Sequence, residues 1–122
     1  TAGDQPPHMQ VLTLRQGIDG YNGTDDTYLS AWDPTTPQGT LTKLSLHHTQ
    51  SNPILKPLLR FDLSSVPANA HLRFAVLNLR VTYSSGSSLR TMPVAIYPLN
   101  RSWSESQATW EQASTNTPWD EP

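Results

Sequence analysis

The sequence predicts an all-β domain, a jelly-roll-like antiparallel β-sandwich, and three observations predict it. Apolar and polar residues alternate with period two in short runs from Leu12 to Tyr97. Clusters of Gly, Pro, Asn and Ser separate these runs. Helical spacing is nearly absent, and about seven short strands with frequent turns are the pattern of a sandwich or jelly roll.

Taken in order, residues 1–9 read as a polar, Pro-containing extended leader and residues 10–122 as one sandwich domain. Gln10 to Arg15 alternates, with Leu12 and Leu14 on one face. Gln16 to Asp26 is turn-rich, and Gly17, Gly20 and Gly23 can take positive φ there. Thr27 to Trp32 is a short strand ended by Asp33-Pro34 and by Pro37-Gln38-Gly39. Leu41 to His47 alternates loosely, and Ser51-Asn52-Pro53 breaks the chain. Leu58 to Leu63 follows, with Leu59, Phe61 and Leu63 on one face. The clearest alternation is Ala75 to Tyr83; a flexible Ser/Gly turn over Ser84–Ser88 separates it from Pro93 to Tyr97. The last 22 residues show no comparable strand. Ser102 with Glu105, or Ser104 with Gln107, predicts one helical turn closed by a capping box.

Composition excludes several classes. Across 122 residues, 35% are hydrophobic and only 15% charged, which suits a folded domain with much loop. A net charge of −2, with no two Lys or Arg adjacent, offers no track for nucleic acid. No apolar run approaches the ~20 residues of a membrane span. Cysteine is absent, so disulfides and thiolate metal sites are excluded. The Ser/Thr/Asn/Pro-rich, Lys-poor balance points to the cell exterior or surface, and Thr1-Ala2-Gly3 reads as a processed start.

Three stretches carry a family likeness: Leu59-Arg60-Phe61-Asp62-Leu63-Ser64-Ser65-Val66-Pro67, then Ala75-Val76-Leu77-Asn78-Leu79, then Trp103-Ser104-Glu105 with Ala108-Thr109-Trp110. Asp26-Thr27-Tyr28 supplies a matching opening strand. In order and spacing they resemble the DNRLRE-type domain, which is grouped with a carbohydrate-binding module family known for alginate recognition. The resemblance runs from about Asp25 to Trp119. It implies a jelly-roll sandwich in secreted or surface proteins, usually an accessory module without chemistry of its own; some relatives bind polysaccharide and some hold a structural calcium. Such domains continue for several strands past the Trp-rich stretch, whereas this chain stops at Pro122. The expectation is an incomplete sandwich, closed by a strand-donating chain or by copies of itself.

The candidate sugar-binding residues are Tyr21, Tyr28 and Trp32, because indole and phenol rings offer apolar faces to sugar C–H groups and polar tips to hydroxyls. Trp103 and Trp110 belong to the family-like motif and are expected to be structural. Asp19, Asn22, Asp25 and Asp26 concentrate oxygen ligands in one Gly-rich loop and are the candidate calcium ligands, although their spacing is not that of an EF-hand. His47-His48 reads as one packed and one solvated histidine, since neighbours on a strand point to opposite faces; His8 and His71 have no neighbouring partner in sequence. Asp62 and Glu105 are expected to cap local turns rather than to act as a glycosidase pair. No nucleophile elbow, zincin motif or P-loop occurs, so no enzyme is expected. Asn22 and Asn100 each open a glycosylation sequon.

Two functions remain. The first is a non-catalytic structural or adhesive subunit packing with partner chains in a surface layer or fibre. The alternative is a carbohydrate-binding module on polysaccharide.

Overall fold

A computed structural model describes residues 9–47, 54–84 and 91–120. The leader up to His8, His48, the Ser51-Asn52-Pro53 breaker and most of the turn over residues 84–88 lie outside the described residues. Every regular element is a strand: β1 (Thr24–Ser30), β2 (Leu55–Phe61), β3 (Gln112–Ser114) and β4 (Thr117–Pro118). β1 pairs with β2 and β3 with β4, both antiparallel, in two small sheets. The all-β expectation holds, and the arrangement is consistent with a β-sandwich. Among the described residues no helix is long and apolar enough to cross a membrane.

The β1–β2 register sets two faces and two edges. Thr24 lies opposite Phe61 and Ser30 opposite Leu55. The Asp62 amide bonds the Gly23 carbonyl at 2.7 Å and the Ala31 amide bonds the Ile54 carbonyl at 3.1 Å. Alternation then gives the remaining ladder bonds to Asp25, Thr27 and Leu29 with Arg60, Leu58 and Lys56. The backbones of Thr24, Asp26, Tyr28 and Ser30 therefore face the outer edge of β1, and those of Leu55, Pro57, Leu59 and Phe61 face the outer edge of β2.

The side chains divide the same way. Thr27 and Leu29 turn inward and are buried. Leu29 joins Trp103, Ala108 and Ala113 in the core, with Leu58, Trp110 and Trp119 packed around them. The far face carries Tyr28, Leu55, Pro57, Leu59 and Phe61, all half-buried.

Both edges are partly blocked. On β1, the Thr24 amide donates to Gln16 Oε1 at 3.1 Å and the Asp26 amide to Glu105 Oε1 at 2.8 Å. On β2, Leu55 exchanges two bonds with His47. Pro57 has no N–H to offer. Leu59 and Phe61 keep open groups on that edge, with no backbone bond among the described residues.

Several sequence expectations need correction. Gln10 to Arg15 forms no strand, and Leu41 to His47 contributes only the bridge at His47. Ala75 to Tyr83 and Pro93 to Tyr97 have no ladder partner among the described residues and are solvent-exposed. Alternation shows what a segment would bury, but a strand exists only where a partner accepts its backbone bonds. The C-terminal stretch read as strandless holds β3 and β4. These are joined by Thr115 and Asn116, the latter left-handed at φ 60. Ser104 accepts from Gln107 and Ala108 in the expected helical turn, but no capping box forms. Glu105 reaches β1 instead, and Gln107 Oε1 accepts from the Thr115 amide at 3.1 Å.

In the first turn region Gly17 and Gly20 do take positive φ, at 78 and 77, whereas Gly23 does not. A Cβ on Gly23 would stand 2.6 Å from that of Asp62, so close approach explains this glycine.

Candidate functional site

The sugar-binding candidates do not converge. The Tyr21 hydroxyl donates to the Asp62 carbonyl at 3.1 Å. Its ring lines a polar hollow of about 350 Å³ with Asn22, Asp62 and Ser64. Trp32 lies past the other end of β1, 55% exposed, with its ring centroid 5.3 Å from that of His47. Seven strand residues at ~3.3 Å each separate the two rings by roughly 20 Å. Tyr28 sits between them on the far face of the sheet.

The calcium candidates are divided too. Asp25 and Asp26 are neighbours on β1 and point to opposite faces. The Asp25 carboxylate is held by both Nε and Nη2 of Arg60. Asp26 faces Glu105, and Asp19 occupies a turn at φ 51. Among the described residues no group of three or more His, Cys, Asp or Glu could hold a metal ion.

Asp62 caps its turn as expected: Oδ1 accepts from the Ser64 amide at 2.9 Å. That backbone bond, with a side-chain bond from Ser64, holds the carboxyl below its usual range. His47 is half-buried, and its Nε2 has no hydrogen-bond partner among the described residues.

A second hollow, of about 270 Å³, joins residues distant in sequence: Leu29, Lys56, Trp110 and Trp119. Leu29 and Lys56 face each other across the β1–β2 ladder on the core side. Leu29 is buried and forms the floor, while Lys56 extends to solvent. Its ammonium lies 5.5 Å from the Trp110 ring centroid.

Both indoles are held by backbone architecture. Thr109 is 1% exposed, and its hydroxyl accepts from the amides of Glu111 and Gln112, which fixes the loop carrying Trp110. The Thr109 carbonyl accepts the Trp119 Nε1–H at 2.7 Å, and Arg101 Nη1 donates to the Trp119 carbonyl at 3.1 Å. Trp103, by contrast, is buried in the core beneath the Arg60 guanidinium, 4.9 Å from its ring centroid. Trp103 is structural as expected, whereas Trp110 does both jobs, packing on the core and walling the hollow.

Two fixed indoles beside an ammonium suit a sugar ring, with C–H faces on the aromatics and an oxygen on the cation. Residues 18–119 match carbohydrate-binding module family 96. The chain belongs to that family. No curated protein and no solved structure matches it significantly. As a member of a carbohydrate-binding module family, the chain carries the alternative of the two functions drawn from its sequence; no finding supports the structural or adhesive subunit.

Sequence reasoning missed Lys56 and did not select Trp119 as a sugar contact. Their only signal was a Lys alternating with Leu58 on the inward face of a strand, and a third Trp nine residues beyond Trp110.

Proposed function

We propose that this chain is a non-catalytic carbohydrate-binding module that holds an extracellular polysaccharide at the hollow of Lys56, Trp110 and Trp119. The observation that carries the reading is the pair of anchored indoles walling one recess beside a lysine ammonium. At about 270 Å³ the recess suits a single sugar ring, just below the ~300 Å³ at which pockets for larger ligands begin. Lys56 favours a carboxylated glycan, in keeping with the resemblance to alginate-recognising modules, because a charge-assisted bond is about twice as strong as a neutral one.

Titration calorimetry with alginate oligosaccharides and neutral glucans tests this. Lys56→Ala should weaken alginate binding about tenfold, equivalent to ~1.4 kcal/mol. Trp119→Ala should abolish it. Wild-type protein that binds neither glycan, or Lys56→Ala and Trp119→Ala variants that bind as wild type does, ends the proposal. Trp32→Ala is the control for the sequence-derived site: loss there alone moves the sugar to the other end of β1.

A further inference from the structure

From Leu63 to Ser104 the chain contains no acidic residue. The described part of this stretch holds two segments without regular structure, residues 71–84 and 91–100, whose side chains are all exposed. Val81 is 79% exposed, Tyr83 83% and Tyr97 82%. Their backbones make no hydrogen bond to the rest of the described residues. A soluble monomer rarely shows a contiguous apolar patch beyond ~300–600 Å². Phe74, Tyr83 and Tyr97, at ~150–250 Å² each when buried, supply more than half of the ~800 Å² per partner of a specific interface. Val76, Leu79 and Ile96 add to that.

The same chain carries an apolar surface that these segments do not cover. The far face of the β1–β2 sheet is half-exposed and apolar, and the β2 edge is open at Leu59 and Phe61. Charge agrees with shape. Arg73 and Arg80 have no carboxylate partner among the described residues, while the acids cluster elsewhere, with Asp26 on the far face of the sheet and Asp62 just past the end of β2.

We propose that two copies of this chain associate reciprocally, each laying residues 71–84 and 91–100 against the β1–β2 sheet of the other. One surface then meets its complement twice about a two-fold axis, which closes the assembly at two. The added segments satisfy the open groups of Leu59 and Phe61, and Arg73 and Arg80 approach Asp26 and Asp62 of the other copy.

Light scattering on the chain at micromolar concentration reads the result directly. Wild type should show twice the chain mass. Val76→Asp/Val81→Asp should show the single-chain mass with unchanged circular dichroism, since neither side chain packs within its own chain. Should that variant fail to fold, Arg80→Glu asks the same question with a surface charge. It should raise the dimer Kd about tenfold at low salt and less at high salt. A single-chain mass for wild type, a mass above two copies, or a dimer indifferent to both variants overturns the proposal. Glycan binding by the single-chain variants should persist, because Lys56, Trp110 and Trp119 lie apart from residues 71–100.

Discussion

A Cβ on Gly39 would stand 1.9 Å from the carbonyl oxygen of Glu105, and backbone on both sides leaves nothing flexible to yield. Gly39→Ala should therefore destabilise by about 1–3 kcal/mol, the range of an overpacked core, read as a fall in urea midpoint. Arg60 joins three groups: its fork holds Asp25, Nη1 donates to the Trp103 carbonyl at 3.1 Å, and its plane covers the Trp103 ring. Lysine keeps the charge but neither the fork nor the stacking. Arg60→Lys should cost about 1 kcal/mol, and a midpoint equal to wild type would contradict that role.

Asp26 gives the fold a pH response. Burial raises its carboxyl above the usual 3.8, followed by the charge of Glu105, a hydrogen bond with Glu105 and the charge of Asp25. A raised folded-state pKa contributes stability that is full below 3.8 and lost as pH climbs through the raised value. Asp62 acts oppositely, contributing above 3.8 and losing that contribution as pH falls through its lowered value. Asp26→Asn should raise Tm at neutral pH and flatten the rise that wild type shows on mild acidification. Parallel Tm curves for the two proteins would remove Asp26 as the cause.

At the scale of elements, the segment 103–119 is organised by Thr109 more than by its strands. Its hydroxyl takes two amides, its carbonyl takes the Trp119 indole, and its own amide bonds the Gln112 carbonyl at 2.9 Å. Thr109→Val strands the Gln112 amide, while the Glu111 amide keeps the Pro34 carbonyl at 3.3 Å, and should cost ~1–3 kcal/mol. Sugar binding should weaken in parallel, because the wall formed by Trp110 loses its support. Retained affinity together with lost stability would separate the loop from the site.

This element also marks how far alternation could be read. β1 and β2 were legible to within about three residues because each is long enough to show a period of two. β3 and β4 span three and two residues, too short for any period, and depend on Ala113 being fully buried. The strongest alternation, Ala75 to Tyr83, has no ladder among the described residues, because a period of two does not by itself supply a partner for the backbone bonds.

Across the whole molecule, the sequence disclosed the ingredients of the proposed sugar site but not their meeting. Trp110 was visible as part of a motif, yet its value as a wall depends on Lys56, 54 positions earlier, and on Trp119. Loop position directed attention to Tyr21 and Trp32, which the strand between them holds apart. A dimer stabilised by association should also melt later as it is concentrated. Tm independent of concentration over a hundredfold range would contradict reciprocal packing.

Pro57 bears on how large such a complex can become. It sits midway along the outer edge of β2, where a continuing ladder would require its missing donor. Stacked strands in cross-β fibrils need every amide of the template. With only Leu59 and Phe61 to offer, β2 accepts a short addition and then stops. Seeding of endless polymers is therefore disfavoured at this edge, and the protein's own backbone sets the limit.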